Sequence, residues 1–380
     1  MHLGVYIHIP FCQQKCLYCD FPSYANLSHL YQDYVAALCR EIADQGGLLS
    51  TAAIDTVYIG GGTPTILPAK SLIKIIECVY ANFTVVQNAE ISIEANPGTV
   101  ERETVKALAD ANINRISFGV QSFDDQLLQG IGRIHSASEA LQAVIMAQEA
   151  GLKNINIDLI YGLPGQTVRQ LQESFNQAAA LGIPHISAYG LKVEEGTPFA
   201  ALEAQGLLAL PDEESDEAMY DLATRFLPKH GFRRYEISNF ALPGMECRHN
   251  LKYWHYQPYL GVGVAAHSFL AGERSANTTD VREYIQQVGQ GRLPVTFREA
   301  LDLPTAMAEF VFLALRTANG MAIRDFNAYF HQDFFQQYAN IVANLKKRNL
   351  LAVHHDSICL TESGMKYGNV VFRAFLPNNT

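Results

Sequence analysis

The 380-residue sequence has one tryptophan, no apolar run long enough to span a membrane, no low-complexity tract and no excess of positive charge. Its best apolar run near the C-terminus, Phe310 to Leu315, is far short of the ~20 residues a spanning helix needs. The opening MHLGVYIHIPFC lacks a basic region and reaches Pro10 after a short apolar stretch, so no targeting segment is expected. With 28 Lys+Arg against 38 Asp+Glu the net charge is −10, which argues against nucleic-acid binding through the whole surface. Charged residues are only 17% of the chain and apolar ones 48%, so disorder and coiled coil are poor readings. Seven cysteines, an odd number spread from Cys12 to Cys359, do not make a secreted disulfide framework. They fit a reducing, cytoplasmic compartment. Peripheral membrane contact stays open.

What is present is a βα rhythm. Short β-branched runs at Val5–Ile9, Thr56–Ile59, Glu90–Glu94, Arg115–Phe118, Ile155–Ile160 and His185–Leu191 alternate with helical stretches near 28–46, 68–81, 101–111, 136–150 and 167–181. The runs read as apolar on both faces, hence as strands covered by helices. Six such units fit an open doubly wound sheet or most of a barrel. Turns rich in glycine and proline (GGGTPT, ANPGT, GVQSF, YGLPG) follow strands two to five. Four of them at one end of a parallel sheet mark a ligand site. The rhythm stops near residue 197. PDEESDE (Pro211–Glu217) opens a helix to about Lys229, FRRYEISNFA reads as a strand, and Cys247–Tyr259 is rich in aromatics. From about 298 come helices near 303–317, 323–330 and 334–348, a hairpin over 350–360 and a last helix from about Ser363. This order is winged-helix-like, but basic and acidic residues nearly balance there, so phosphate contacts are weakly supported. The expected division is 1–196, 197–297 and 298–380.

The strongest chemical signal is Cys12-Gln-Gln-Lys-Cys16-Leu-Tyr-Cys19, directly after the first strand. Three thiolates on one loop suit a soft metal centre, an iron–sulfur cluster or zinc. A structural zinc would need a fourth ligand, and neither His8 nor Asp20 extends the spacing into a common zinc pattern. Three ligands on a four-iron cluster leave one iron free to bind a small molecule.

CxxxCxxC with an aromatic before the last cysteine resembles the radical S-adenosylmethionine superfamily. The wider set YIHIPFC, CLYCDF, GGGTPT, SIEANPG, SFGVQSF, IGRIH and NIDLIYGLPG resembles one branch of it. That branch holds oxygen-independent coproporphyrinogen III oxidase and the HemW-like haem chaperones. The resemblance implies an α/β fold, a partial (βα)6 TIM-like barrel followed by a mixed α+β segment and a mostly helical C-terminal domain. It implies a [4Fe–4S] cluster on Cys12, Cys16 and Cys19, whose open iron chelates S-adenosylmethionine. Motif by motif, it places Gly61, Gly62 and Thr63 at the methionyl end and Arg133 on the carboxylate. Glu94 would accept donor groups, Gln121 and Asp158 would face the ribose, and Tyr6 would point toward the cluster loop. Ordinary ion pairing for Arg133 and Glu94, and core packing for Tyr6, are the competing readings.

Departures from the oxidase pattern choose between its two members. Where the oxidase continues Cys-x-Cys, this chain has Cys19-Asp20-Phe21, and it opens on the first strand where the oxidase carries an extension. Arg248-His249-Asn250-Leu251-Lys252-Tyr253-Trp254 matches the HNxxYW signature of HemW-like proteins. The resemblance then implies a haem-binding chaperone with haem as cargo, delivered to haem-accepting proteins such as those of the respiratory chain, and an electron donor for the cluster. Haem would be met by His249, Asn250, Tyr253 and Trp254, an imidazole among aromatic rings. The competing reading is a packed aromatic turn in which His249 only makes hydrogen bonds. Cys247 is read as a buried spectator, with a ligand role as the alternative. Cys39, Cys78 and Cys359 read as core residues. The alternative function is the oxidase reaction, radical oxidative decarboxylation of porphyrinogen propionates.

Overall fold

The computed structural model describes residues 2–377. Six strands lie parallel and adjacent in chain order: β1 (His2–Ile9), β2 (Ala53–Gly61), β3 (Thr84–Ala95), β4 (Arg115–Gln121), β5 (Asn154–Tyr161) and β6 (His185–Gly190). A doubly wound sheet reverses its strand order at a switch point, and this one does not. Right-handed crossovers between successive neighbours put every helix on the same face, which is the winding of a barrel. The helices Tyr31–Leu48, Ala69–Asn82, Arg102–Asp110, Ala137–Glu149 and Val168–Ala180 make these crossovers. Capping boxes at Ser136/Glu139 and Thr167/Gln170 fix the starts of the last two. Two short helices, Asp125–Gly130 and Pro198–Ala204, carry too little periodicity to be read from sequence.

The strands are not apolar on both faces. Ile91 and Ile93, Ile116 and Phe118, Ile155 and Ile157 are buried in the layer under the helices. The residues between them, Glu90, Ser92, Glu94, Arg115, Ser117, Asn156, Asp158, His185 and Ser187, point the other way. Period-two alternation separates a hydrophobic outer face from a polar inner one. Each buried Ile or Phe on the outer face contributes about 1.5–3 kcal/mol, so the polar interior is held by its apolar shell.

The chain beyond β6 extends this same sheet at both edges. FRRYEISNFA is not one strand; a turn splits it into β7 (Arg233–Arg234) and β8 (Asn239–Ala241), and β8 runs antiparallel to β6. The aromatic-rich stretch forms the helix Arg248–Trp254. Next, β9 (Tyr259–Val262) lies parallel to β1, followed by the antiparallel β10 (His267–Leu270), β11 (Glu273–Asn277) and β12 (Val295–Ala300). The sheet ends on β12 and β7, so the barrel stays open. The acidic segment starts the helix Glu213–Lys229, capped by Asp212. The helices Leu303–Leu315, Ile323–Phe330 and Phe334–Lys347, with a three-stranded sheet, enclose a second core around Phe326, Phe334 and Tyr338. No helix among the described residues is long and apolar enough to cross a membrane.

Candidate functional site

The inner faces of β2 to β6 and the Cys12–Cys19 loop surround one cavity of about 510 Å³, within the usual size range for small-molecule sites. Its mouth lies at the carboxyl ends of the strands. Cys12, Cys16, Cys19, Gly61, Gly62, Thr63, Glu94, Gln121, Arg133 and Asp158 all line it. Tyr6 does not. Its hydroxyl donates to His8 Nδ1 at 3.0 Å, and His8 Nε2 donates to the Pro22 carbonyl at 2.8 Å, behind the cysteine loop.

The loop is anchored from beneath. Gly62 N donates to the Ile9 carbonyl at 2.8 Å and Thr63 N to the Phe11 carbonyl at 2.7 Å. A Cβ on Gly62 would lie 2.6 Å from the Phe11 oxygen and 3.0 Å from Cys12 Sγ, so only glycine admits this approach. Gly61 sits at φ +113°, with the His8 ring where a side chain would go. Cys12 Sγ is 3.6 Å from Thr63 Oγ1, and Arg133 Nη1 is 3.5 Å from Cys16 Sγ. Burial, with the Cys16 and Cys12 thiols nearby, pushes the Cys19 thiol up. Among the described residues no three Cys, His, Asp or Glu side chains converge on the space of a single ion. Three partly exposed thiols and a glycine cradle fit a [4Fe–4S] cluster bound by Cys12, Cys16 and Cys19. Arg133 Nε, buried without a partner beside them, is a donor left for a ligand. When bound, the cluster supplies an electron to the group on its open iron.

Above the loop, Glu94 accepts from Tyr58 Oη at 2.8 Å and from Gly61 N at 3.1 Å. Burial, with Asp158 nearby, raises its pKa to about 7. Burial likewise raises Asp158, against hydrogen bonds from Ser187, Asn156 and Ser117. Asn156 Nδ2 donates to Ser117 Oγ at 2.7 Å and to Asp158 Oδ1 at 2.8 Å, and its Oδ1 accepts from His185 Nδ1 at 2.5 Å. Gln121 takes a left-handed φ of +67°, and Arg133 Nη2 donates to the Gly119 carbonyl. The site can therefore hold a ligand with both cationic and hydroxyl groups, while a guanidinium stands at the thiols.

The HNxxYW residues are split. His249 is 0% exposed and stacked on Tyr58. Its Nδ1 is 2.9 Å from Thr56 Oγ1 and its Nε2 2.8 Å from Tyr253 Oη. With both nitrogens engaged it offers no lone pair to an iron, and the packed reading of this stretch describes it. Burial lowers its pKa to about 3, so the ring is neutral. Trp254 lies under the Arg316 guanidinium at 4.6 Å, away from the cavity. Asn250 alone of the four lines the cavity. Cys247 is buried, with Sγ 3.6 Å from Glu90 Oε1, and burial pushes its thiol up to about 12. Cys39, Cys78 and Cys359 are half-buried, and Cys39 and Cys78 pack against the main core. The inner-face residues Arg115, Ser117, Asn156, Ser187 and Tyr58 also line the cavity. Sequence reasoning missed them, although the alternation in EISIEA, RISFGV and NINIDL carried the signal.

Residues 6–178 match the radical SAM superfamily and residues 301–367 the HemN C-terminal domain. The heme chaperone HemW of Bacillus subtilis (strain 168) is 36% identical over 98% of this chain and 99% of its own length. HemW of Haemophilus influenzae is 36% identical over 98% of both chains. HemW of Escherichia coli K12 is 38% identical over 70% of this chain and 69% of its own. The solved structure of coproporphyrinogen III oxidase HemN of Escherichia coli, a radical SAM enzyme, superposes with a TM-score of 0.86 at 24% identity, covering 98% of this chain and 89% of that one. The likeness to HemN shows a shared fold, whereas end-to-end identity with the chaperones is closer kinship, and the chain belongs to the HemW family of the radical SAM superfamily.

Proposed function

We propose that this protein is a haem-binding chaperone that carries a [4Fe–4S] cluster and S-adenosylmethionine and passes haem to acceptor proteins. The observation that carries the reading is the end-to-end match to relatives named heme chaperones, at 36% identity over 98% of the chain. Cys12, Cys16 and Cys19 would hold the cluster. Gly61, Gly62, Thr63, Glu94, Gln121, Arg133 and Asp158 would hold S-adenosylmethionine, with Arg133 on the carboxylate and Glu94 and Asp158 on donor groups. Phe21, 62% exposed at the cavity mouth in place of a further cysteine, supports apolar cargo there. The sealed His249 argues that haem is not ligated by that ring in this conformation. Cytoplasmic residence and an electron donor for the cluster belong to the same proposal.

Anaerobic reconstitution followed by haem titration, with coproporphyrinogen turnover assayed on the same sample, tests it. A saturable Soret change without protoporphyrinogen formation is expected. Stoichiometric turnover to protoporphyrinogen with no Soret change would replace this reading by the oxidase.

A further inference from the structure

The cavity contains a second guanidinium that neither the cluster nor the assigned S-adenosylmethionine residues use. Arg115 is 2% exposed, yet its side chain makes no hydrogen bond among the described residues, and its Nε is buried without a partner. It lines the cavity. Glu90 offsets its charge, but its buried donors lack acceptors, a costly state that a ligand in the cavity would relieve. Its place is far from Arg133. On β4 Arg115 stands four residues, about 13 Å of strand, before Gly119, whose carbonyl accepts from Arg133. One cavity thus has a cation at its mouth and another at its floor.

The floor has a second unfilled group. Asn250, from the HNxxYW helix, lines the cavity and its side chain also makes no hydrogen bond among the described residues. Its helix is fixed against the closed end of the barrel. Glu90 accepts from Arg248 N at 2.9 Å and His249 N at 3.0 Å, and Lys252 Nζ lies 2.8 Å from Asp55 Oδ1. His249, bonded to Thr56, is thus a positioning residue for Asn250. Neighbouring charge limits what Arg115 can receive. Glu90, Cys247, Tyr58 and Tyr235 surround the guanidinium, and Glu94 and Asp158 lie in the same cavity. A dianion would meet this acidic lining, whereas a single carboxylate matches the planar fork of Arg115 bidentately and adds only one negative charge.

We propose that Arg115 and Asn250 form a floor subsite for the carboxylate of a second small molecule, bound in the same cavity as S-adenosylmethionine. The ligand class is an alkyl carboxylate of the propionate type. That haem propionate is the group received rests on the haem reading above; the subsite itself does not.

The test uses the full chain. Thermal unfolding is followed with sodium propionate, and with propionamide at matched ionic strength. Propionate is expected to raise the wild-type midpoint and propionamide is not, and Arg115→Gln removes the difference. Arg115→Lys, which keeps charge but not the fork, and Asn250→Ala, which leaves Arg115 in place, are expected to reduce it and serve if Arg115→Gln fails to fold. Equal responses to the two additives in wild type, or an unchanged difference in these variants, would overturn the subsite. So would a parallel loss of S-adenosylmethionine binding in Arg115→Gln, since Arg115 would then belong to that ligand. A second arm titrates haem and its dimethyl ester into the reconstituted protein. Arg115→Gln is expected to weaken the free acid roughly tenfold or more and to leave the ester unchanged. Failure of wild type to bind either form defeats the haem reading, while the propionate arm still decides the subsite.

Discussion

Glu94 shows how one carboxyl can couple ligand, proton and fold. Buried beside Asp158, it titrates near 7 instead of its ordinary 4.5. A raised carboxyl pKa favours the neutral form in the folded protein. Its contribution to stability is full below about 4.5 and is lost as pH rises through about 7. A ligand ammonium prefers the ionised form, so S-adenosylmethionine affinity should rise over the same interval. Glu94→Gln is expected to flatten both slopes, read as urea midpoints and dialysis affinities between about pH 5 and pH 8. Glu41, also near 7 but under the helices, is common to both proteins and cancels in the comparison. The opposite sign holds at His249. Its depressed pKa gives stability that is present above about 6.5 and lost as pH falls toward about 3. His249→Gln is expected to cost about 1–3 kcal/mol in urea unfolding, since Thr56 and Tyr253 lose a shared partner. The axial-ligand pattern of the haem spectrum should not change. A changed ligand pattern in a folded variant would return His249 to the role of iron ligand.

At the scale of elements, the cluster loop depends on a turn that does not itself bear a ligand. The β2 turn presses Gly62 against Phe11 and Cys12 with no room for a methyl group. Gly62→Ala should move the loop without unwinding any strand. Reduced iron and sulfide per chain after reconstitution, with an unchanged far-UV spectrum, is the expected result; full iron loading would show that the loop yields. The loop was legible in sequence because cysteine spacing is a local signal. The six parallel strands and their helices were legible for the same reason. The polar inner face was not, because Ile and Phe at alternate positions make each run look uniformly apolar when summed over a window. Reading EISIEA or NINIDL by parity places Glu94 and Asn156 on one side and the isoleucines on the other. The HNxxYW stretch was ambiguous for a different reason. Its residue types permit haem ligation, but Thr56 and Glu90, distant in sequence, decide which way each side chain points.

For the whole molecule, the same helix connects three regions. Its start is bonded to Glu90 on β3, Asn250 faces the cavity, and Trp254 at its end meets the C-terminal region. There Arg316 lies 4.6 Å over the indole and 5.4 Å from the Phe372 ring, with its Nε buried and unpartnered. A backbone bridge between Glu236 and Thr317, the pairing of Lys366 with Glu217 and Asp221, the Arg274–Glu309 pair and the packing of Tyr256 between Phe269 and Phe310 also belong to the junction. The Lys366 pairs are partly exposed and contribute little, and Trp254 is where the helix Arg248–Trp254 itself meets this region. A desolvated cation–π pair is worth up to about 2 kcal/mol. Trp254→Ala is therefore expected to speed hydrogen exchange and proteolysis across the helices of 303–375, while the helices Ala137–Glu149 and Val168–Ala180 keep their protection. Because Asn250 is held from the β3 side through Glu90, the propionate response should survive in this variant. Uniform loosening of the chain would mean instead that Trp254 supports the barrel. Loss of the propionate response with the barrel intact would show that the C-terminal region controls the cavity floor through this helix.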